Sequence, residues 1–125
     1  MGNDKTIVVV DDDAKVIILV EKVLTQSGFR VLSASEGKKG LELVKKEKPV
    51  LLITDILQPG IDGIGLCQVI KEDPQLQAIK VILMSGVYRQ VSLKREIMGC
   101  TPDAFIEKPL EVQQLKDLVE KILES

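Results

Sequence analysis

The chain has 125 residues, the size of one ordinary domain, and can bury roughly two thirds of the surface that its unfolded form exposes. Its 17 basic and 19 acidic residues leave a formal charge of −2, with no block of like charge suited to nucleic acid or a membrane surface. It has no histidine, so no histidine of its own serves as base, metal ligand or phosphate carrier. No apolar run is long enough to span a membrane, and nothing resembles a signal peptide.

The first part of the chain predicts a strand, a helix and a second strand. Residues 7–10 are uniformly apolar and β-branched, which is typical of a parallel strand covered on both faces. Apolar residues then recur at helical spacing over 14–27, where Asp13 is placed to cap the helix and Gly28 to end it. A less continuous pattern at 29–33 predicts a short strand nearer the sheet edge.

The middle of the chain repeats this alternation. A second helix is predicted between Ser35, placed as its N-cap, and Pro49, which ends it. Residues 50–53 carry the buried-strand pattern again, and a Pro- and Gly-containing loop leads to a short helix at 64–71. Residues 81–84 predict a fourth buried strand.

The last part of the chain completes the pattern with a helix, a strand and a helix. The helix at 88–98 has a poor apolar stripe, whereas the closing helix around 115–122 is clearly amphipathic. A short strand is predicted between them at 104–106. Five strands alternating with five helices predict one α/β domain over residues 1–125: a flavodoxin-like, doubly wound, five-stranded parallel sheet in the order 2-1-3-4-5.

Polar side chains follow four of the predicted strands where each strand ends. Asp11 and Asp12 follow the first strand, Asp55 the third, Ser85 the fourth and Lys108 the fifth. Because ligands of an open parallel sheet bind outside the carboxyl ends of its strands, we expect these side chains to meet at one edge. Crowded carboxylates repel one another unless a cation joins them, and oxygen ligands without histidine or cysteine favour Mg²⁺.

This set of groups is suited to phosphoryl transfer. A carboxylate oxygen of Asp55 can attack phosphorus and form an aspartyl-phosphate. Mg²⁺, Lys108 and the Ser85 hydroxyl would then stabilise the charge on the transferred group. Taken singly, each residue is as well explained as a turn former, a helix cap or an ordinary loop residue. The functional interpretation depends on their joint position at neighbouring strand ends.

Taken together, these residues and the sequence around them resemble the response-regulator receiver domains of two-component signal transduction systems. The resemblance covers the whole chain and is carried by four motifs. These are V-V-V-D-D at 8–12, T-D-I-L-Q-P-G-I-D-G at 54–63, M-S-G at 84–86 and F-I-E-K-P at 105–109.

The resemblance implies a role for each site residue. Asp55 is similar to the phosphoacceptor, Asp12 to the direct metal ligand, and Asp11 to its partner acting through metal-bound water. The backbone carbonyl of Leu57, two residues after the acceptor, would complete the protein's share of the Mg²⁺ coordination.

Four further positions match the switch and its surroundings. Ser85 resembles the switch hydroxyl and Lys108 the phosphate counter-ion. Phe105 matches the aromatic switch position, although a plain core aromatic is the open alternative. Pro109 is expected to follow a cis peptide bond, which is otherwise rare. Phosphorylation would change the conformational populations of a surface formed by the fourth helix, the fifth strand and the fifth helix.

The resemblance also implies the partners. The phosphoryl donor would be a sensor histidine kinase or a histidine phosphotransfer protein, and the output surface would contact an output domain or downstream protein. We expect a cytoplasmic protein without direct nucleic-acid or membrane contact, as a monomer or a weak phosphorylation-dependent dimer. Cys67 and Cys100 fit two reduced thiols. The sequence leaves open whether the domain stands alone or belongs to a longer protein.

Two alternative functions compete with the phosphorylated switch. A phosphatase or phosphotransferase on a similar sheet needs an acid-base aspartate two residues after its nucleophile, where this chain has Leu57. A pseudo-receiver binds partners without phosphorylation and usually lacks one of the acidic pair, the acceptor or the lysine, all of which are present. Leucine cannot hydrogen-bond a hydrolytic water, so we expect a switch that catalyses its own phosphorylation and loses the phosphoryl group slowly.

Overall fold

A computed structural model of the chain describes residues 5–86 and 101–124. Over these residues five strands and four helices follow one another. They are β1 (Thr6–Val10), α1 (Ala14–Gln26), β2 (Arg30–Ala34), α2 (Gly37–Glu47), β3 (Leu51–Asp55), α3 (Gly63–Glu72), β4 (Lys80–Ser85), β5 (Ala104–Glu107) and α4 (Val112–Glu124). The helix predicted at 88–98 lies outside the described residues, so α4 is the fifth helix of the sequence prediction.

The strands form one parallel sheet in the order β2-β1-β3-β4-β5, which confirms the predicted flavodoxin-like topology. The strand order reverses at β1, which pairs with β2 on one side and with β3 on the other. The carboxyl ends of β1, β3, β4 and β5 therefore lie next to one another. This edge is the place where the fold can gather side chains into a site.

Two apolar layers cover the two faces of the sheet. Successive strand residues point to opposite faces, so Val8 and Val10 join the layer under α2 and α3, while Ile7 and Val9 join the layer under α1 and α4. All four valine and isoleucine side chains are fully buried. Burial on both faces explains why the central strands are uniformly apolar instead of alternating.

The ends of α1 follow the sequence prediction. The Asp13 side chain caps the helix by accepting a hydrogen bond from the backbone N–H of Lys15 at 2.9 Å. Just past the other end, Gly28 adopts a positive φ of 97°, which glycine reaches without steric cost.

The predicted N-cap of α2 is wrong. The cap position is Glu36 and not Ser35, and Glu36 makes no side-chain capping bond. The first helical residue, Gly37, instead donates its backbone N–H to the carbonyl oxygen of Pro59 at 3.3 Å. The loop after β3 thus supplies the acceptor that a capping side chain would otherwise provide.

Cys67 is a thiol, as predicted, and it is buried within the layer under α2 and α3. Cys100 lies outside the described residues. Among the helices that the structure describes, none is long and apolar enough to cross a bilayer.

The start of α3 lies unusually close to the end of β3. The Gly63 backbone N–H donates to the carbonyl oxygen of Ile56 at 2.9 Å, and the Asp62 side chain caps the helix by accepting from the N–H of Gly65 at 2.7 Å. A Cβ atom on Gly63 would lie 2.3 Å from the carbonyl oxygen of Asp55. Only glycine allows this approach between the helix and the strand end.

Gly63→Ala is therefore expected to lower the free energy of unfolding by about 1–3 kcal/mol, the usual cost of forcing atoms into a packed region. The matched control is Gly65→Ala, where the nearest atom to the new Cβ is a side-chain methyl of Ile61 at 3.1 Å. Alanine favours a helix over glycine by about 1 kcal/mol, so the control should be as stable as the original protein or more so. Urea unfolding compares the two variants, and equal stability would contradict the close approach.

Candidate functional site

Three acidic side chains meet at the carboxyl edge of the sheet. Asp11 and Asp12 directly follow β1, and Asp55 is the last residue of the neighbouring β3. Each offers a carboxylate oxygen, and these atoms all lie within 4.8 Å of one another. Asp11 is fully buried, the Asp55 side chain is 13% exposed, and Asp12 is exposed. The cluster thus opens to solvent on the side of Asp12 and Asp55.

The buried Asp11 is held by the turn that leads into α1. Its backbone N–H donates to the carbonyl oxygen of Ala34 at 3.2 Å, which joins it to the end of β2. Its Oδ1 accepts from the backbone N–H of Asp13 at 2.8 Å. Because Asp13 also caps α1, the helix start and the acidic cluster share one hydrogen-bonded turn.

Lys108 supplies the positive charge of the site. Its Nζ lies 2.7 Å from Oδ2 of Asp11 and 3.3 Å from Oδ1 of Asp55. Its backbone N–H donates to the carbonyl oxygen of Ser85 at 2.8 Å, which fixes the end of β5 beside the end of β4. The Lys108–Pro109 peptide bond is cis, the geometry that the resemblance implies.

Burial and charge set the ionisation of the two central groups. Burial raises the pKa of the Asp55 carboxyl above its ordinary value, and the Asp11 carboxylate raises it further, while Lys108 acts in the opposite direction. Burial also disfavours the ammonium of Lys108, but its close pairing with Asp11 and the charges of both carboxylates outweigh the effect of burial and raise the pKa of Lys108. The ammonium is therefore held in its charged form.

The residues fit a hard divalent cation. Three carboxylates and one ammonium leave two negative charges at the site. Among the described residues, no donor makes a well-aligned hydrogen bond to the buried Oδ2 of Asp11. All the clustered ligand atoms are oxygens, which is the donor set of Mg²⁺ or Ca²⁺ and not of softer metals.

Ser85 and Phe105 lie beside the acidic cluster on the outer strands. Ser85 ends β4 and is almost fully buried, one residue after Met84, which is the β4 partner of Asp55. Phe105 pairs with Leu83 in the sheet but its side chain is 39% exposed. The alternative of a plain core aromatic is therefore wrong, whereas the switch role of Phe105 stays a prediction.

Two polar residues close to Asp55 along the chain were not singled out from the sequence: Thr54 in β3 and Gln58 in the loop that follows it. Thr54 is fully buried, and its Oγ1 lies 3.2 Å from Oε1 of Gln58. Gln58 Nε2 donates to the carbonyl oxygen of Ile61 at 3.1 Å. A threonine inside an otherwise apolar strand, four residues before a glutamine, was the available signal.

The side chain of Leu57, the predicted carbonyl ligand, is 65% exposed, so its position in the loop does not depend on core packing.

An open groove of about 480 Å³ adjoins the site between α1 and the segment after β5. Its lining is mostly apolar, with Lys108 at the end nearest the acidic cluster. Nearby on α1, Ile18 is 62% exposed, the second most exposed large apolar side chain among the described residues. A protein surface that reaches Asp55 from this side would meet an apolar floor beside a charged site.

Comparison with known proteins gives a consistent family. The family model described as the response regulator receiver domain matches residues 7–120. Sporulation initiation phosphotransferase F of Bacillus subtilis is 31% identical over 123 residues, which are 98% of this chain and 96% of that protein. The signal receiver domain of a signal transduction histidine kinase from Syntrophus aciditrophicus is 28% identical, with a TM-score of 0.87 over 96% of this chain and 90% of that one.

Other relatives are longer than this chain. The alkaline phosphatase synthesis transcriptional regulatory protein PhoP of Bacillus subtilis is 28% identical over 120 residues, which are 96% of this chain but 49% of that protein. The chain likewise spans only 47% to 49% of several other transcriptional regulators that it matches.

Without divalent metal, Asp55→Asn is expected to raise the midpoint of thermal unfolding at neutral pH, by about 4 °C for each kcal/mol gained in a chain of this size. The folded-state pKa of Asp55 is raised, so the cost of its charged form is present above that pKa and fades as the pH falls through it. The gain should therefore shrink toward acid pH. Calorimetry of both proteins over a pH series in chelator measures it.

Asp117→Asn is the control for this experiment, since Asp117 is an exposed aspartate on α4 that is not part of the acidic cluster. It should leave the midpoint unchanged. An Asp55→Asn midpoint at or below that of the original protein at neutral pH would contradict a destabilising carboxylate at this position.

Proposed function

This chain belongs to the response regulator receiver domain family of two-component systems, and on that basis we propose that Asp55 is its phosphoacceptor. The family match confirms the resemblance to receiver domains that the sequence motifs indicated. The observation that carries the proposal is the meeting of Asp55 with Asp11, Asp12 and the Lys108 ammonium at one edge of the sheet. The proposed unit is a single domain over residues 1–125.

The donor is a phosphohistidine outside these 125 residues, because they contain no histidine. A carboxylate oxygen of Asp55 attacks phosphorus, a P–O bond forms as the P–N bond breaks, and the departing imidazole nitrogen takes up a proton. The chain itself contributes position and charge, which is what phosphoryl transfer mainly requires. The partner is a sensor histidine kinase or a histidine phosphotransfer protein, and the apolar groove beside Lys108 is suited to its approach.

We assign the metal as Mg²⁺, with Asp12 and Asp55 as direct ligands, Asp11 acting through water and Leu57 contributing its backbone carbonyl. When bound, Mg²⁺ supplies positive charge to the acidic cluster and to the incoming phosphoryl oxygens. The excess of two negative charges around Lys108 supports this assignment.

Lys108 and Ser85 hold the phosphoryl group after transfer. The Lys108 ammonium already lies 3.3 Å from Asp55 and can pair with the added negative charge. The Ser85 hydroxyl, at the end of the neighbouring strand, donates to a phosphoryl oxygen. Its displacement makes room for Phe105 to turn inward from its exposed position. The surface around β5, α4 and the predicted helix at 88–98 then contacts an output domain or downstream protein.

The domain acts as a monomer or a weak phosphorylation-dependent dimer, without direct nucleic-acid or membrane contact. A cytoplasmic location suits the buried thiol of Cys67. The phosphorylation-independent pseudo-receiver is the less favoured function because the acidic pair, the acceptor and the lysine are all present and in contact or close to one another. Leu57 leaves no acid-base group for a phosphatase at that position.

Incubation with Mg²⁺ and acetyl phosphate is expected to add one phosphoryl group, read out by intact mass. The adduct should be absent from Asp55→Asn and from a sample treated with chelator, since the first lacks the nucleophile and the second the metal. A folded protein that forms no adduct in any sample would refute the proposal and favour the pseudo-receiver.

Leu57→Asn is expected to shorten the lifetime of the phosphorylated form by roughly tenfold, equivalent to about 1.4 kcal/mol in the barrier. An amide at this exposed position can orient the water that attacks phosphorus, whereas leucine cannot. Loss of the phosphoryl group is followed by mass after the donor is removed. Ile18→Asn is the matched control, because Ile18 is comparably exposed but lies on α1, and its lifetime should not change. Equal lifetimes for Leu57→Asn and the original protein would disprove the role of Leu57.

A further inference from the structure

The loop that follows Asp55 is fixed at both ends by backbone hydrogen bonds. At its start, the Ile56 N–H donates to the carbonyl oxygen of Met84 at 3.1 Å. At its end, the Gly63 N–H donates back to the Ile56 carbonyl at 2.9 Å. Between these anchors Leu57, Pro59 and Gly60 are exposed, whereas Ile61 packs against the core and the Pro59 carbonyl accepts from the Gly37 N–H. Core packing therefore does not by itself determine the conformation at Leu57.

The side chain of Gln58 bridges the middle of this loop. A carbonyl oxygen only accepts, so the group that faces the Ile61 carbonyl at 3.1 Å must be the NH₂ of the amide. The amide oxygen then faces the hydroxyl of Thr54 at 3.2 Å, which acts as donor. The same hydroxyl lies 3.0 Å from the carbonyl oxygen of Asp55, so one proton is shared between two acceptors. Thr54 is fully buried and Gln58 is half-buried, which shields the bridge from water.

This bridge acts on the group that the proposed metal site needs. The carbonyl oxygen of Leu57 and the amide nitrogen of Gln58 belong to one planar peptide unit. With the Gln58 side chain bonded at both ends of its amide, the Cα atom of Gln58, which ends this peptide unit, is held in place relative to β3 and Ile61. Leu57 itself has an exposed side chain, so its own packing provides little restraint.

We propose that Gln58, hydrogen-bonded to Thr54 and Ile61, is a positioning residue that holds the Leu57 carbonyl in the orientation required for Mg²⁺. The inference deepens the proposed function and rests on its metal site. Gln58 itself touches neither the metal nor the phosphoryl group. It acts through the backbone, as groups outside the direct ligands often do when they orient a metal ligand.

Calorimetric titration with MgCl₂ tests this role without any phosphoryl donor. Gln58→Leu, which keeps a side chain of similar size, and Thr54→Val, which keeps the shape of threonine, are each expected to weaken Mg²⁺ binding by roughly tenfold. The double variant should bind no more weakly than either single variant, because both remove the same bridge. Thr54→Ser retains the hydroxyl and should bind Mg²⁺ almost as the original protein does.

Gln77→Leu is the matched control, since Gln77 is an exposed glutamine outside the loop, and it should leave the affinity unchanged. Unfolding in chelator identifies any variant that has lost its fold. Two results overturn the inference alone: normal Mg²⁺ affinity in Gln58→Leu, or a Thr54→Ser defect as large as that of Thr54→Val. If the original protein binds no Mg²⁺, the proposed metal site fails and the inference fails with it.

Discussion

The ion pairs of Lys108 with Asp11 and Asp55 are the interaction on which this edge of the molecule depends. Three carboxylates brought together by parallel strands repel one another, and one of them is fully buried. A single ammonium within 3.3 Å of two of them reduces that repulsion but leaves the site negative. The sheet thus presents a preformed acidic site that a divalent cation completes, instead of one that must be assembled when the cation arrives.

Much of the fold could be predicted because the central strands are buried on both faces of the sheet and are therefore apolar at consecutive positions. Short, uniformly apolar, β-branched runs mark central parallel strands, and their order along the chain permits few topologies. The candidate site could also be predicted from the sequence, because its residues directly end or follow four strands. Once the sheet order is known, Asp11, Asp55, Ser85 and Lys108 must be neighbours.

The features that could not be predicted depend on contacts between distant segments. Ser35 had the right chemistry for a cap, but a backbone carbonyl from the loop after β3 meets the start of α2 instead. Phe105 has an aromatic side chain of the kind found in protein cores, yet its position in β5 leaves it 39% exposed. The hydrogen bonds of Gln58 depend on its side-chain rotamer and on the conformation of the loop. Neither produces a periodic pattern in the sequence from which it could be predicted.

Lys108 also joins separate parts of the sheet. Its side chain reaches groups at the ends of β1 and β3, while its backbone is hydrogen-bonded to the end of β4 and continues from β5. The edge strand is therefore linked to the centre of the sheet by the same ammonium that offsets part of the negative charge of the acidic cluster. An anion added to Asp55 would compete for the Lys108 ammonium. It would thereby weaken the ion pair with Asp11 and loosen the link between β5 and the centre of the sheet. Only one strand, β4, lies between Asp55 at the end of β3 and the edge strand β5.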